Sequence, residues 1–178
     1  MKKKTAENIN KIKLFILDVD GVLTDGGIII GDSGREYKKF CVKDGGGIAV
    51  AGKAGFKFAI ISGRRSEIID VRAKELKIDA VYQGVHKKME AYEEIKKSRG
   101  LKDSEICYAG DEIIDIPVME KCGFAAAPAD AVREAKAAAD YICRAKGGSG
   151  CVREIVEKVL KKQGLWDKAV KRYIKDEK

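Results

Sequence analysis

Four short stretches of this chain carry side chains able to do chemistry on an anion. The first is LFILDVDGVLTDGG, Leu14 to Gly27, where an apolar run ends in Asp18 and Asp20 with Gly21 directly behind them. Charge at the end of a buried strand is costly unless something uses it. Side chains two apart on an extended chain point to one side, so both carboxylates converge if the extension continues to Asp20. Two anions that close repel strongly in a dry site and call for a divalent cation between them. Gly21 lets the chain turn sharply and aim backbone N–H groups at an anion. The competing reading is a pair of solvated turn acids.

The second stretch is ISGR. Ser62 and Gly63 open a helix expected to start near Ser66, where free N–H groups and the helix dipole favour a phosphate, although an ordinary capped turn has the same residues. The third is QGVHKKMEAYEEI, in which Lys88 begins an amphipathic helix and offers a point charge to a phosphate. Lys87 is next door, and spacing does not choose between them. His86, the single histidine, sits among loop residues and reads as incidental. The fourth is YAGDEIIDIP, where Asp111 follows a strand end and a glycine, a position suited to a hard cation. A helical turn brings Asp115 back beneath Asp111, while Glu112 faces elsewhere.

Short apolar runs that alternate with amphipathic segments must position these groups. Strands are expected at Lys13–Val19, Phe56–Ile61, Ala80–Tyr82, Glu105–Ala109, Phe124–Ala127 and Asp140–Cys143. Helices are expected between them at Gly47–Lys53, Ser66–Leu76, Lys88–Ser98, Pro117–Lys121, Ala131–Ala138 and Val152–Gln163. The alternation predicts an α/β fold with a Rossmann-like, doubly wound parallel sheet. Such sheets bind ligands at the carboxyl ends of their strands, where all four stretches fall. Residues 26–42, GGIIIGDSGREYKKFCV, break the alternation with two β-like arms around GDSG, a projecting hairpin. The tail, about 164–178, carries Leu165, Trp166, Val170, Tyr173 and Ile174 in a charged background and reads as a docking helix or a frayed end.

The 178 residues suit one domain, 1–178, with no room for a cap domain. A net charge of +8 favours anionic partners or reflects a solvated lysine-rich surface, but no aromatic-interleaved basic stretch suggests nucleic acid. No apolar run approaches the roughly 20 residues that span a bilayer, and Met1–Lys13 lacks the apolar core of a signal peptide. Five cysteines without a C-x-x-C pair read as buried free thiols in a cytoplasmic protein.

D-x-D, then Ser, then Lys, then G-D-x-x-x-D on successive strands is the ordered signature of the haloacid dehalogenase-like phosphatases, which this chain resembles over most of its length. The blocks LDVDGVLTDG, SGRRSE, YQG, GDEIIDIPVMEKCG and GGSGCVREIVE narrow the resemblance to the small capless branch acting on 3-deoxy-D-manno-octulosonate 8-phosphate. The resemblance implies Asp18 as nucleophile forming an aspartyl-phosphate, and Asp20 as acid and then base. It implies Mg²⁺ held by Asp18, the Asp20 backbone carbonyl and Asp111, with Asp115 steadying the outer shell. Ser62, Gly63 and Lys88 would hold the phosphoryl oxygens, the lysine being Lys88 because it falls six residues after Tyr82. Where the branch usually has a second aspartate, this chain has Glu112, so the fine tuning of the metal shell differs.

Branch members assemble as homotetramers in which a neighbour's hairpin and tail close the site. The apolar Ile28–Ile30 arm suits that role or packing on its own domain. Arg64 is placed to bind the carboxylate of a small phosphorylated sugar acid or a sugar hydroxyl. The resemblance implies the eight-carbon sugar, because the related phosphatases for nine-carbon ulosonates tend to have an acidic residue at this position. Lys43, Asp44, Arg144 and Lys146 are weaker candidates for the same pocket. The rivals are a receiver domain, which would place its acceptor aspartate after the third strand, and a non-catalytic assembly module. Asp18→Asn should abolish nearly all phosphate release because an amide is a poor nucleophile; retention of about a tenth of the activity would remove Asp18 from that role.

Overall fold

The computed structural model describes residues 8–78 and 80–176. The first seven residues of the lysine-rich start and the last two of the expected tail lie outside these. After a 3₁₀ turn at Ile9–Lys11 the chain forms strand β1 (Leu14–Leu17), a hairpin of β2 (Ile29–Ile30) and β3 (Glu36–Tyr37), and helix α1 (Val42–Lys53). It continues through β4 (Lys57–Ser62), α2 (Glu67–Glu75), β5 (Ala80–Gln83), α3 (Lys88–Ser98), β6 (Ile106–Ala109) and α4 (Ile116–Lys121). The last elements are β7 (Phe124–Ala127), α5 (Arg133–Ala138), β8 (Tyr141–Ile142), α6 (Cys151–Lys162) and α7 (Trp166–Asp176).

Six strands pair in the order β5-β4-β1-β6-β7-β8, every pair parallel. The chain winds outward from β1 to β5, then returns to the other side of β1, so the order reverses between β1 and β6. That is where open α/β sheets place their ligands. The four residues of β1, LFIL, are fully buried because helices cover both faces, which is why the strand reads as a continuous apolar run. Phe15 and Leu17 face α1, α2, α6 and α7, with Phe15 stacked on Phe58 at 5.1 Å between ring centres. Leu14 and Ile16 face α3, α4 and α5. The sheet is doubly wound, as the sequence predicts.

Each expected strand is present. The clearest boundary error is α1, which begins at Val42 rather than Gly47. Glycines 45–47 argue against helix, at about 1 kcal/mol each relative to alanine, but tight packing requires two of them. A Cβ on Gly45 would meet Arg72 Nη2 at 2.7 Å, and one on Gly47 would meet Arg153 Cα at 3.1 Å. Tertiary contact overrides propensity here.

The hairpin pairs Ile29 with Tyr37 and Ile30 with Glu36 around a turn in which Gly31 N–H donates to Arg35 C=O at 2.9 Å. Its apolar arm is open to solvent, Ile28, Ile29 and Ile30 being 52%, 55% and 67% exposed. The tail resolves as a docked helix rather than a frayed end. Ala169 of α7 is buried, Trp166, Val170 and Tyr173 pack on the same core, and Arg153 lies 4.8 Å over the Trp166 ring. Ile174 stays exposed. All five cysteines are free; Cys107, Cys143 and Cys151 are buried.

Asp44 is corrected. Its carboxylate is buried and accepts the N–H groups of Gly150 at 3.2 Å and Arg153 at 2.8 Å, capping α6 from a helix far away in sequence. It belongs to the scaffold, being 1% exposed. Asp44→Ala removes the cap and leaves two N–H groups without partners, so stability should fall by about 2 kcal/mol in urea unfolding. A loss below about 0.5 kcal/mol would show that water replaces the cap.

Candidate active site

The parallel register brings the strand ends level. Leu17 pairs with Ile60 on one side and Ala109 on the other, and Asp18 N–H donates to Ala109 C=O at 3.0 Å. Asp18 therefore leaves β1 beside Ser62 of β4, with Gly110 and Asp111 following β6. From the loop after β5 comes Lys88, the first residue of α3.

Lys88 organises these groups. Its side chain is 1% exposed, and its ammonium lies 2.9 Å from Asp18 Oδ1 and 2.7 Å from Asp115 Oδ1. Lys87, 81% exposed, lies 3.7 Å from Glu90, so the structure brings Lys88 and not Lys87 to Asp18 and Asp115. Asp115 closes a 3₁₀ turn, Ile113–Asp115, that returns it beneath Asp111 as expected. Its Oδ1 also accepts the Tyr108 hydroxyl at 2.6 Å, and its Oδ2 accepts the N–H groups of Asp111 and Glu112, each at 3.1 Å. Tyr108 was missed by the sequence reading; a bulky phenol within an otherwise small-residue strand end was the available signal.

One carboxylate oxygen each from Asp18, Asp111 and Asp115 lies within 4.8 Å of the others. Burial pushes the Asp18 carboxyl up to about 6, with Asp115 adding to the rise and Lys88 opposing it. Burial, then the neighbouring charges of Asp18 and Asp115, push Asp111 up to about 8. Burial alone would lower the Lys88 ammonium, but the two carboxylates outweigh it and raise it. Asp111 Oδ1 is buried with no hydrogen-bond partner among the described residues. One ammonium against three carboxylates leaves negative charge uncompensated. A hard divalent cation with oxygen ligands fits this donor set.

Asp20 departs from expectation. The extended strand stops at Leu17, and the next residues curl into a turn in which the N–H groups of Val22, Leu23 and Thr24 all donate to Val19 C=O. The Asp20 carboxylate is not one of the three that form the acidic cluster. Its Oδ1 instead meets Lys38 Nζ at 2.5 Å and the Thr24 hydroxyl at 3.4 Å. A role through its backbone carbonyl places no demand on the side chain.

Glycines allow this turn to fit. Gly21 has φ +90°, and a Cβ there would lie 1.9 Å from Asp111 Oδ2. From the other side, a Cβ on Gly147 would lie 1.9 Å from Gly21 C=O. The GGSG loop thus clamps the aspartate turn, and Gly148 N–H donates to Val22 C=O at 3.0 Å.

Ser62 is buried, and its hydroxyl accepts the Arg64 N–H at 3.3 Å. Helix α2 starts only at Glu67, with the Ser66 N–H already given to Gln83 at 2.8 Å, so Ser62 and Gly63 precede the helix instead of opening it. Arg64 lies between Glu36 of the hairpin, at 3.1 Å, and Asp20, at 3.8 Å. Glu112 folds onto the N–H of Ile113 at 2.7 Å, outside the acidic cluster. His86, Lys43, Arg144 and Lys146 are exposed. Lys38, Thr24 and Glu36 were not singled out from sequence, because their partners are set by how the hairpin folds back.

Residues 71–155 match the haloacid dehalogenase-like hydrolase family. Over 164 residues the chain is 43% identical to the 3-deoxy-D-manno-octulosonate 8-phosphate phosphatase KdsC of Escherichia coli K12, covering 92% of this chain and 86% of that protein. The Moraxella catarrhalis phosphatase of that name, solved with magnesium, phosphate and KDO, superposes with TM-score 0.93 at 36% identity, covering 97% of this chain and 99% of that one. The Yersinia pestis phosphatase superposes with TM-score 0.90 at 38% identity, covering 93% and 89%.

Gly21→Ala should drive Asp111 out of the cluster. Calorimetric titration with Mg²⁺ should show affinity reduced by about tenfold or more, with an unchanged circular dichroism spectrum. Undiminished affinity would exclude Asp111 as a ligand.

Proposed function

The chain belongs to the 3-deoxy-D-manno-octulosonate 8-phosphate phosphatases within the haloacid dehalogenase-like hydrolases, and from that membership we propose that it hydrolyses this phosphomonoester, releasing the free sugar acid and phosphate. One observation carries the reading at the level of chemistry: Lys88 is buried between Asp18 and Asp115, with Asp111 alongside, at the point where the strand order reverses. The M. catarrhalis relative holds magnesium, phosphate and the sugar acid together.

In this mechanism Asp18 attacks phosphorus, an Asp18 Oδ–P bond forms as the sugar C–O–P linkage breaks at phosphorus, and Asp20 protonates the departing sugar oxygen. Asp20 then removes a proton from the water that attacks the aspartyl-phosphate. Ser62, the Gly63 N–H and Lys88 hold the phosphoryl oxygens, and Lys88 exchanges part of its pairing with Asp18 for the phosphate. Bound Mg²⁺, held by Asp18, the Asp20 backbone carbonyl and Asp111 with Asp115 behind them, supplies positive charge that screens the nucleophile from its anionic target. Arg64 takes the substrate carboxylate, in competition with Glu36.

The same reading treats residues 1–178 as one domain whose hairpin and tail complete a neighbour's site in a homotetramer. The open Ile28–Ile30 arm supports this, since monomers seldom leave such a contiguous apolar edge uncovered. Five unpaired cysteines support a cytoplasmic setting. Among the described residues no helix is long and apolar enough to cross a membrane.

With Mg²⁺, phosphate release from octulosonate 8-phosphate should exceed that from nine-carbon ulosonate 9-phosphates and hexose phosphates, and chelation by EDTA should abolish all three. A preference for hexose phosphates would overturn the substrate while leaving the chemistry intact.

A further inference from the structure

Lys38 lies directly after the hairpin, in no motif that carries the phosphatase chemistry. Its side chain is nonetheless 1% exposed, which is unusual for a lysine on a projecting arm. Burying an ammonium there is costly unless it is paired, and two carboxylates pair it: Asp20 Oδ1 at 2.5 Å and Glu36 at 3.3 Å. The Thr24 hydroxyl lies 3.4 Å from the same Asp20 oxygen. Asp20 Oδ2 is buried and accepts no hydrogen bond among the described residues. The two oxygens are therefore sorted: Oδ1 is anchored by an ammonium and a hydroxyl, while Oδ2 makes no hydrogen bond among the described residues and has the Arg64 guanidinium nearby, Nε at 3.8 Å. Arg64 ties the arm down from the other side through Glu36 at 3.1 Å.

We infer that Lys38 is a positioning residue for the reaction: delivered by the hairpin of the same chain, it anchors Asp20 so that the free carboxyl oxygen meets the leaving sugar oxygen. The hairpin then does more than wall the substrate, because proton delivery depends on its being docked. This inference rests on Asp20 acting as the acid.

The test compares Lys38→Met, Lys38→Arg, Glu36→Gln and Asp20→Asn in the full chain with Mg²⁺, on octulosonate 8-phosphate and on 4-nitrophenyl phosphate. Nitrophenolate leaves without needing a proton, and kcat/KM covers only the steps through cleavage of the ester bond. Asp20→Asn should lose about 100-fold or more in kcat/KM on the sugar phosphate and little on the aryl ester. Lys38→Met should repeat that selectivity at about 10- to 100-fold, and Lys38→Arg should recover most of the loss. Glu36→Gln, which loosens the hairpin but leaves the Lys38–Asp20 pair, should show no leaving-group selectivity. If Asp20→Asn is selective but Lys38→Met loses equally on both esters, or on neither, the inference fails alone. Selectivity in Glu36→Gln equal to that in Lys38→Met would likewise reduce Lys38 to docking the arm and overturn it. If Asp20→Asn loses equally on both, the role given to Asp20 falls and the inference falls with it.

Discussion

The site depends on a charge constraint. Three carboxylates, from Asp18, Asp111 and Asp115, meet at a sheet edge that excludes most water, and one ammonium, from Lys88, lies among them. In such a medium like charges repel far more strongly than in water, so the cluster persists only with cations supplied. Lys88 supplies one, and its loss would leave buried anions uncompensated, a situation that typically costs about 3–5 kcal/mol. Burial first, and then the neighbouring carboxylates, raise the Asp18 and Asp111 carboxyls, a cost that a divalent ion held there relieves. The same crowding of carboxylates suits the site to magnesium and, through it, to phosphate.

Everything around the cluster keeps those charges from moving apart. The sheet provides rigid, level strand ends, and Tyr108 fixes Asp115 from beneath. The aspartate turn lies between Asp111 on one side and the Gly147–Gly148 loop on the other, with clearances that admit no Cβ. That loop is anchored in turn, since it leads into α6, whose first N–H groups are held by Asp44. A chain of contacts therefore runs from the α1–α6 interface to the turn that carries Asp18. The hairpin adds a second arm of control, through Lys38, over a carboxylate that is not part of the acidic cluster.

Much of this was legible before any coordinates. The apolar LFIL run, the carboxylate that follows it, and the small-residue end of β6 before Gly110 and Asp111 identify strand ends by composition alone. Asp115 and Ser62 followed from spacing and from the order of the four stretches, whereas Lys88 was separated from Lys87 by the family resemblance. Less legible were features fixed by contacts distant in sequence. Asp44 looked like a pocket residue because DGGG resembles a loop; its partners lie more than a hundred positions away. Asp20 was expected beside Asp18 because period-two reasoning assumes the strand continues, whereas it stops at Leu17.

The sequence by itself determined the winding of the sheet and which residues reach its carboxyl edge, because hydrophobic periodicity and glycine placement act locally along the chain. Tertiary structure alone decided the pairing of those residues: Lys88 with Asp18 and Asp115, Asp115 locked by Tyr108, and Asp20 held by Lys38. Such pairings depend on distances of about 3 Å between side chains from different elements. Only a packed interior, in which removing charge from water makes each pairing decisive, can specify them.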